Sequence, residues 1–80
     1  MNLQRAVATK IVRLLAEHHL TRYALCKRIA LPESSLKNII DERYTDIKLS
    51  TVANIADGFG MTLTEFFDDP LFAKENLDLD

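Results

Sequence analysis

Residues 21–43, TRYALCKRIALPESSLKNIIDER, decide the reading of this chain. They divide into two short helical patterns joined by a tight turn. In the second pattern Leu36, Ile39 and Ile40 fall at i, i+3 and i+4 and share one face of a helix. Ser34, Lys37 and Asn38 repeat that spacing on the opposite face, with Glu33 one turn before Lys37. Every amphipathic helix has a polar face, so polarity alone decides little. The residue types say more, because Ser, Lys and Asn present donors that reach base edges and phosphates. The first pattern opens on Thr21, a suitable N-cap, and runs from Arg22 to Ile29 with Leu25 and Ile29 inward. Pro32 pushes Leu31 toward extended backbone and suits the first turn of the next helix.

Outward from this stretch, Leu3, Val7, Ile11, Leu14 and Leu15 form a helical stripe, uninterrupted by Gly or Pro, over about residues 3–18. Downstream, a loop at 42–48 leads to a helix from Leu49 or Ser50 to Phe59. Val52, Ile55, Ala56 and Phe59 face inward there, and Gly60 is the stop. Thr62-Leu63-Thr64-Glu65 is a capping box for a fifth helix ending near Asp68 or Asp69, before Pro70. The expected core is Val7, Ile11, Leu14, Leu25, Cys26, Ile29, Leu36, Ile39, Val52, Ile55, Ala56, Phe59, Leu63 and Phe66.

The ordered residues of this run resemble the phage-repressor and Cro-like (Xre-type) transcriptional regulators. The matching positions are Leu20-Thr21-Arg22, Leu25-Cys26, Ile29-Ala30-Leu31-Pro32, Ser35-Leu36 and Ile39-Ile40, followed by Leu49 to Phe67. The resemblance covers about residues 9–68 and implies an all-α, lambda-repressor-like five-helix bundle built on a helix-turn-helix. Four departures stand out. Ala30 and Glu42 occupy positions where the family favours Gly. Leu15 and Ile40 stand where many members pair an Arg with a Glu, and both change together, so neither strands a charge. Cys26 matches a small Ala, and a buried thiol packs like a slightly larger one.

What the resemblance implies for function is sequence-specific binding of double-stranded DNA by a transcriptional regulator of repressor type. Its recognition helix docks in the major groove. By position, Glu33, Ser34, Lys37 and Asn38 face base edges, and Thr21, Arg22, Ser35, Arg43, Tyr44 and Lys48 contact the backbone. Asn pairs two-pronged with adenine, Lys reaches guanine, and Glu accepts from cytosine. One recognition helix reads few base pairs, so a homodimer on a pseudo-palindromic operator is implied. Candidate dimer residues are Phe67, Leu71 and Phe72, with Leu77 and Leu79 beyond them; the alternative reading is that Phe67 and Phe72 fold back to close the small core. The domain is expected over 1–69 and an acidic tail over 70–80.

Composition bounds the alternatives. Eighty residues support one domain with a modest core. The net charge of −2 is uneven: nine of the ten Lys and Arg lie within residues 1–50, and seven of the twelve acids lie beyond. The helix-turn-helix half is therefore basic and the remainder acidic. That acidity leaves a second reading open, an antitoxin-like module binding a basic protein. Residues 1–5 lack the apolar core of a signal peptide, and one cysteine forms no internal disulfide, so the cytoplasm is the expected compartment. Nothing suggests an enzyme. There is no phosphate loop, paired-carboxylate motif or metal-ligand spacing, and Cys26 has no base nearby in sequence. His18 and His19 are adjacent, so they point about 100° apart on a helix and make a poor metal site. No cofactor, metal, membrane or small-molecule ligand is expected.

Overall fold

In the computed structural model, which describes residues 1–78, five α-helices follow one another: α1 (Leu3–Glu17), α2 (Arg22–Ile29), α3 (Glu33–Ile40), α4 (Leu49–Gly58) and α5 (Leu63–Phe67). Two short 3-10 turns, Pro70–Phe72 and Lys74–Asn76, complete the described chain. Leu79 and Asp80 lie outside the described residues, so the dimer role considered for Leu79 has no structural counterpart here.

Side-chain caps set most of the helix starts. Asn2 accepts from the Arg5 N–H at α1, and Thr21 accepts from the Ala24 N–H at α2. At α5 the capping box is complete: Thr62 accepts from the Glu65 N–H at 3.1 Å, and the Glu65 carboxylate accepts from the Thr62 N–H at 2.9 Å. These bonds hold the Glu65 carboxyl below its usual range. α3 and α4 follow Pro32 and Lys48, neither of which supplies a side-chain cap.

The core brings Val7, Ile11, Leu14 and Leu15 of α1 against Leu25, Cys26, Leu36, Ile39, Val52, Ile55, Ala56, Phe59 and Phe66. Of the residues expected inside, only Ile29 and Leu63 are partly rather than fully buried. Leu15 and Ile40 both join the apolar cluster, so no charge is stranded where an ion pair was expected in relatives. Burial raises the Cys26 thiol pKa, with the Glu33 charge adding to it, so the sulfur stays protonated and acts as packing. His18 closes α1 with its ring 5.2 Å from Phe59.

Backbone geometry explains the two places where glycine is missing. Ala30 has φ +54° and Glu42 φ +57°, both left-handed. Each ends a helix in the conformation for which the family favours Gly, at a cost of about 1 kcal/mol apiece. Gly60, at φ +72°, ends α4 without that penalty.

The chain after α5 returns onto α1. Phe72 lies 6.0 Å from Phe66 and 4.8 Å from Phe67, ring centroid to centroid. Phe67 in turn stands edge-on to Phe66 at 5.3 Å. Both Phe67 and Phe72 are half-buried and pack on the core. These two dimer candidates therefore already have intramolecular partners, because the 3-10 turn at Pro70 reverses the chain.

Candidate nucleic-acid interface

The helix-turn-helix is held as a rigid unit from beneath. Leu36 and Ile39 of α3 are 0% and 2% exposed and anchor the helix against α1 and α2. The end of α2 is fastened to α4 by two polar bonds. Arg28 donates to the Gly58 carbonyl at 2.9 Å, and the Asn54 amide donates to the Ile29 carbonyl at 3.1 Å. Gly58 allows this approach. A Cβ there would lie 2.6 Å from Ile29 Cγ2 and 2.8 Å from Leu25 Cδ1.

On this base α3 presents Glu33, Ser34 and Lys37 as exposed residues and Asn38 as half-buried. Lys37 is leashed to Asp41 one turn on, Nζ to carboxylate 3.6 Å, on an exposed surface where such a pair contributes little. Asn38 is held more closely. Its carbonyl accepts from the Arg43 N–H at 2.9 Å, and its side-chain amide donates to the Tyr44 hydroxyl at 3.4 Å.

The residues expected on the DNA backbone fall in three places. Ser35, Tyr44 and Lys48 come together around one groove of about 320 Å³, lined also by Leu31, Ile39, Ile47 and the acid Asp46. Thr51, at the start of α4, completes its wall, although the pattern match alone does not single it out. Thr21 and Arg22 stand apart at the start of α2, both exposed. Thr21 spends an acceptor on its cap and keeps its hydroxyl proton. Arg43 lies between α3 and the loop, exposed.

The pairing of charges differs between α1 and this surface, where Lys37 is paired to Asp41 but most of the other bases are not. Every base of α1 meets an acid. Arg5 lies 3.4 Å from Glu42, while Lys10 and Arg13 lie 2.8 and 2.9 Å from Asp69. By contrast Arg22, Lys27, Arg43 and Lys48 form no salt bridge among the described residues. Lys27 adds a cation to the Arg22 side of the molecule, 6.0 Å above the Tyr23 ring, which is itself 58% exposed. Neither residue belongs to the family pattern. The available signal was an aromatic and a base one turn apart on the polar side of α2.

No group of three or more His, Cys, Asp or Glu that could hold a metal occurs among the described residues. No described helix is long and apolar enough to cross a membrane.

No curated protein and no solved structure matches the chain. The family model of the Cro/C1-type HTH DNA-binding domain matches residues 10–70, which span all of α2 to α5 and most of α1. With the helix-turn-helix and its unpaired cations in place, that match identifies the chain as a member of the Cro/C1-type HTH DNA-binding domain family.

Proposed function

We propose that this protein is a repressor-type transcriptional regulator that lays α3 in the major groove of double-stranded DNA. In this reading Glu33, Ser34, Lys37 and Asn38 address base edges. Thr21, Arg22, Ser35, Arg43, Tyr44 and Lys48 hold the phosphates on either side. The observation that supports it best is the set of free cations. A base already neutralised by a carboxylate has little charge left for a phosphate, and Arg22, Lys27, Arg43 and Lys48 have no such partner among the described residues. Among the described residues, the acids beyond residue 50 lie on α4 (Asp57), on α5 (Glu65) and in the chain that follows it, elements other than α2 and α3.

One helix of this length covers few base pairs, so discrimination requires a second copy on a two-fold site. Repression then follows from occupancy of the operator. Selection of bound sites from random duplex DNA tests the reading. The expected result is an enriched pseudo-palindrome. Asn38→Ala should relax base choice at one or two positions. Arg22→Ala should weaken binding to all sequences alike and flatten the salt dependence. If no sequence is enriched, the reading fails.

A protein-binding role, antitoxin-like, has one observation in its favour. Leu3 and Leu49, 43% and 61% exposed, rim an apolar groove that also includes Val7, Ile47, Val52 and Phe67. Failure of the selection together with co-purification of a basic protein would favour that role.

A further inference from the structure

Tyr44 sits outside the recognition helix, yet among the described residues it is the one whose side chain is hydrogen-bonded to the side chain of Asn38. We infer that Tyr44 is a positioning residue for base reading: by holding a phosphate it fixes which edge of the Asn38 amide faces the groove. The inference rests on the proposed placement of α3 in the major groove.

Proton count decides which way the amide faces. A tyrosine hydroxyl has a single proton to give and an oxygen that accepts. A phosphate oxygen can only accept. Once the Tyr44 proton points to a phosphate, its oxygen has only acceptor capacity left. The side of Asn38 that meets it must then be Nδ2, as found at 3.4 Å. One Nδ2 proton is used in that bond. The second Nδ2 proton and the whole of Oδ1 remain, which is the donor and acceptor pair that adenine N7 and N6–H₂ require. The reversed amide would set two donors against the tyrosine-free side and present the opposite order to the base.

The loop is built to hold the ring in place. The Arg43 N–H is bonded to the Asn38 carbonyl at 2.9 Å, so Tyr44 follows α3 without slack. Glu42, left-handed at φ +57°, turns the chain toward it. Gln4 of α1 donates to the Thr45 carbonyl on the far side, and Asp46 accepts from the Ile47 N–H at 2.9 Å. Tyr44 is 39% exposed and lines the groove with Ser35 and Lys48, both backbone candidates, and with the acid Asp46. A contact to the DNA backbone and a contact to a base thereby become one relay, phosphate to Tyr44 to Asn38.

The experiment uses a duplex selected from random sequence by the full chain, with each adenine in turn replaced by guanine or by 7-deaza-adenine, which lacks the N7 acceptor. Wild type should lose about tenfold or more in affinity at one adenine. Asn38→Ala should erase that preference. Tyr44→Phe should cut the preference by several-fold while the salt dependence is kept, because the hydroxyl carries no charge. Tyr44→Phe made in the Asn38→Ala background should leave base preference where Asn38→Ala alone puts it. If Asn38→Ala erases the preference but Tyr44→Phe lowers affinity for all duplexes equally, Tyr44 is only a phosphate contact and the inference is overturned. If Asn38→Ala itself changes no preference, the placement of α3 fails, and the inference with it. Thermal unfolding of both variants near the wild-type temperature separates these outcomes from loss of fold.

Discussion

The Asp69 carboxylate lies 2.8 Å from the Lys10 ammonium, and both side chains are nearly sealed from water, at 7% and 10% exposed. The same oxygen takes a second bond from Arg13 at 2.9 Å, and the other oxygen accepts from the Leu71 N–H at 2.9 Å. One acid thus joins the first helix to the chain that follows the last. It also caps the 3-10 turn that returns Phe72 to the core. A buried charge persists only where it is paired and bonded in this way.

Removing that acid should strand Lys10. Asp69→Ala is expected to destabilise the fold by about 3 kcal/mol, since breaking a buried pair costs more than the pair contributes. Denaturant titration measures this, and a loss no larger than that of an exposed ion pair would show that the clamp is dispensable.

Asp69 also predicts a pH response. The Leu71 N–H, then Lys10, hold its carboxyl below the ordinary range. The unfolded chain therefore takes up this proton first as pH falls. The stabilisation is full above the unfolded value of about 4 and is lost as pH drops through the folded value. Asp69→Asn should flatten the stability curve of the wild type between those points. Glu65 is shifted the same way and contributes to the slope remaining in the variant. Chemical denaturation at stepped pH between about 2 and 6 is the check.

At the crossing of α2 and α4, Gly58→Ala should destabilise by about 1–3 kcal/mol, because the new methyl overlaps Ile29 and Leu25. Ile29 is β-branched and stiff, so it yields poorly. The same change should loosen the seat of α2 and lower affinity for specific DNA more than for random DNA. A melting temperature equal to that of wild type would mean that the interface relaxes freely.

Ala30 offers the opposite sign. Ala30→Gly relieves left-handed strain at φ +54° and should stabilise by up to about 1 kcal/mol, less the added entropy of the unfolded glycine. No other side chain changes, so the melting temperature reads the backbone term directly.

For assembly, the exposed apolar groove makes Leu49 a cleaner probe than Phe72, whose ring packs on Phe66 and Phe67. Leu49 is the first residue of α4, where an acid is favoured by the helix dipole, so Leu49→Asp should fold normally. If two copies meet across this groove, sedimentation with selected DNA should give two wild-type chains per duplex and one for Leu49→Asp. Two chains in both cases would place the contact elsewhere.

The sequence by itself determined the five helices, the repeat of inward residues and the family. Each of these is written locally, in a period near 3.6 with caps and stops between. Thr21, Thr62 and Gly60 act through bonds and dihedrals within four residues, so their roles were legible. The missing glycines at Ala30 and Glu42 were legible too, and both positions turn out left-handed. What only the tertiary structure decided involves residues far apart in the chain. Lys10 and Arg13 read as two more surface bases until Asp69, more than fifty positions away, is brought between them. Phe67 and Phe72 read either as dimer surface or as closure of the core until the chain after α5 packs them on Phe66. The partition of cations into paired and unpaired sets, and the bond from Asn38 to Tyr44, depend in the same way on where elements pack. Helical periodicity names a face for each side chain, and only packing names what that face meets.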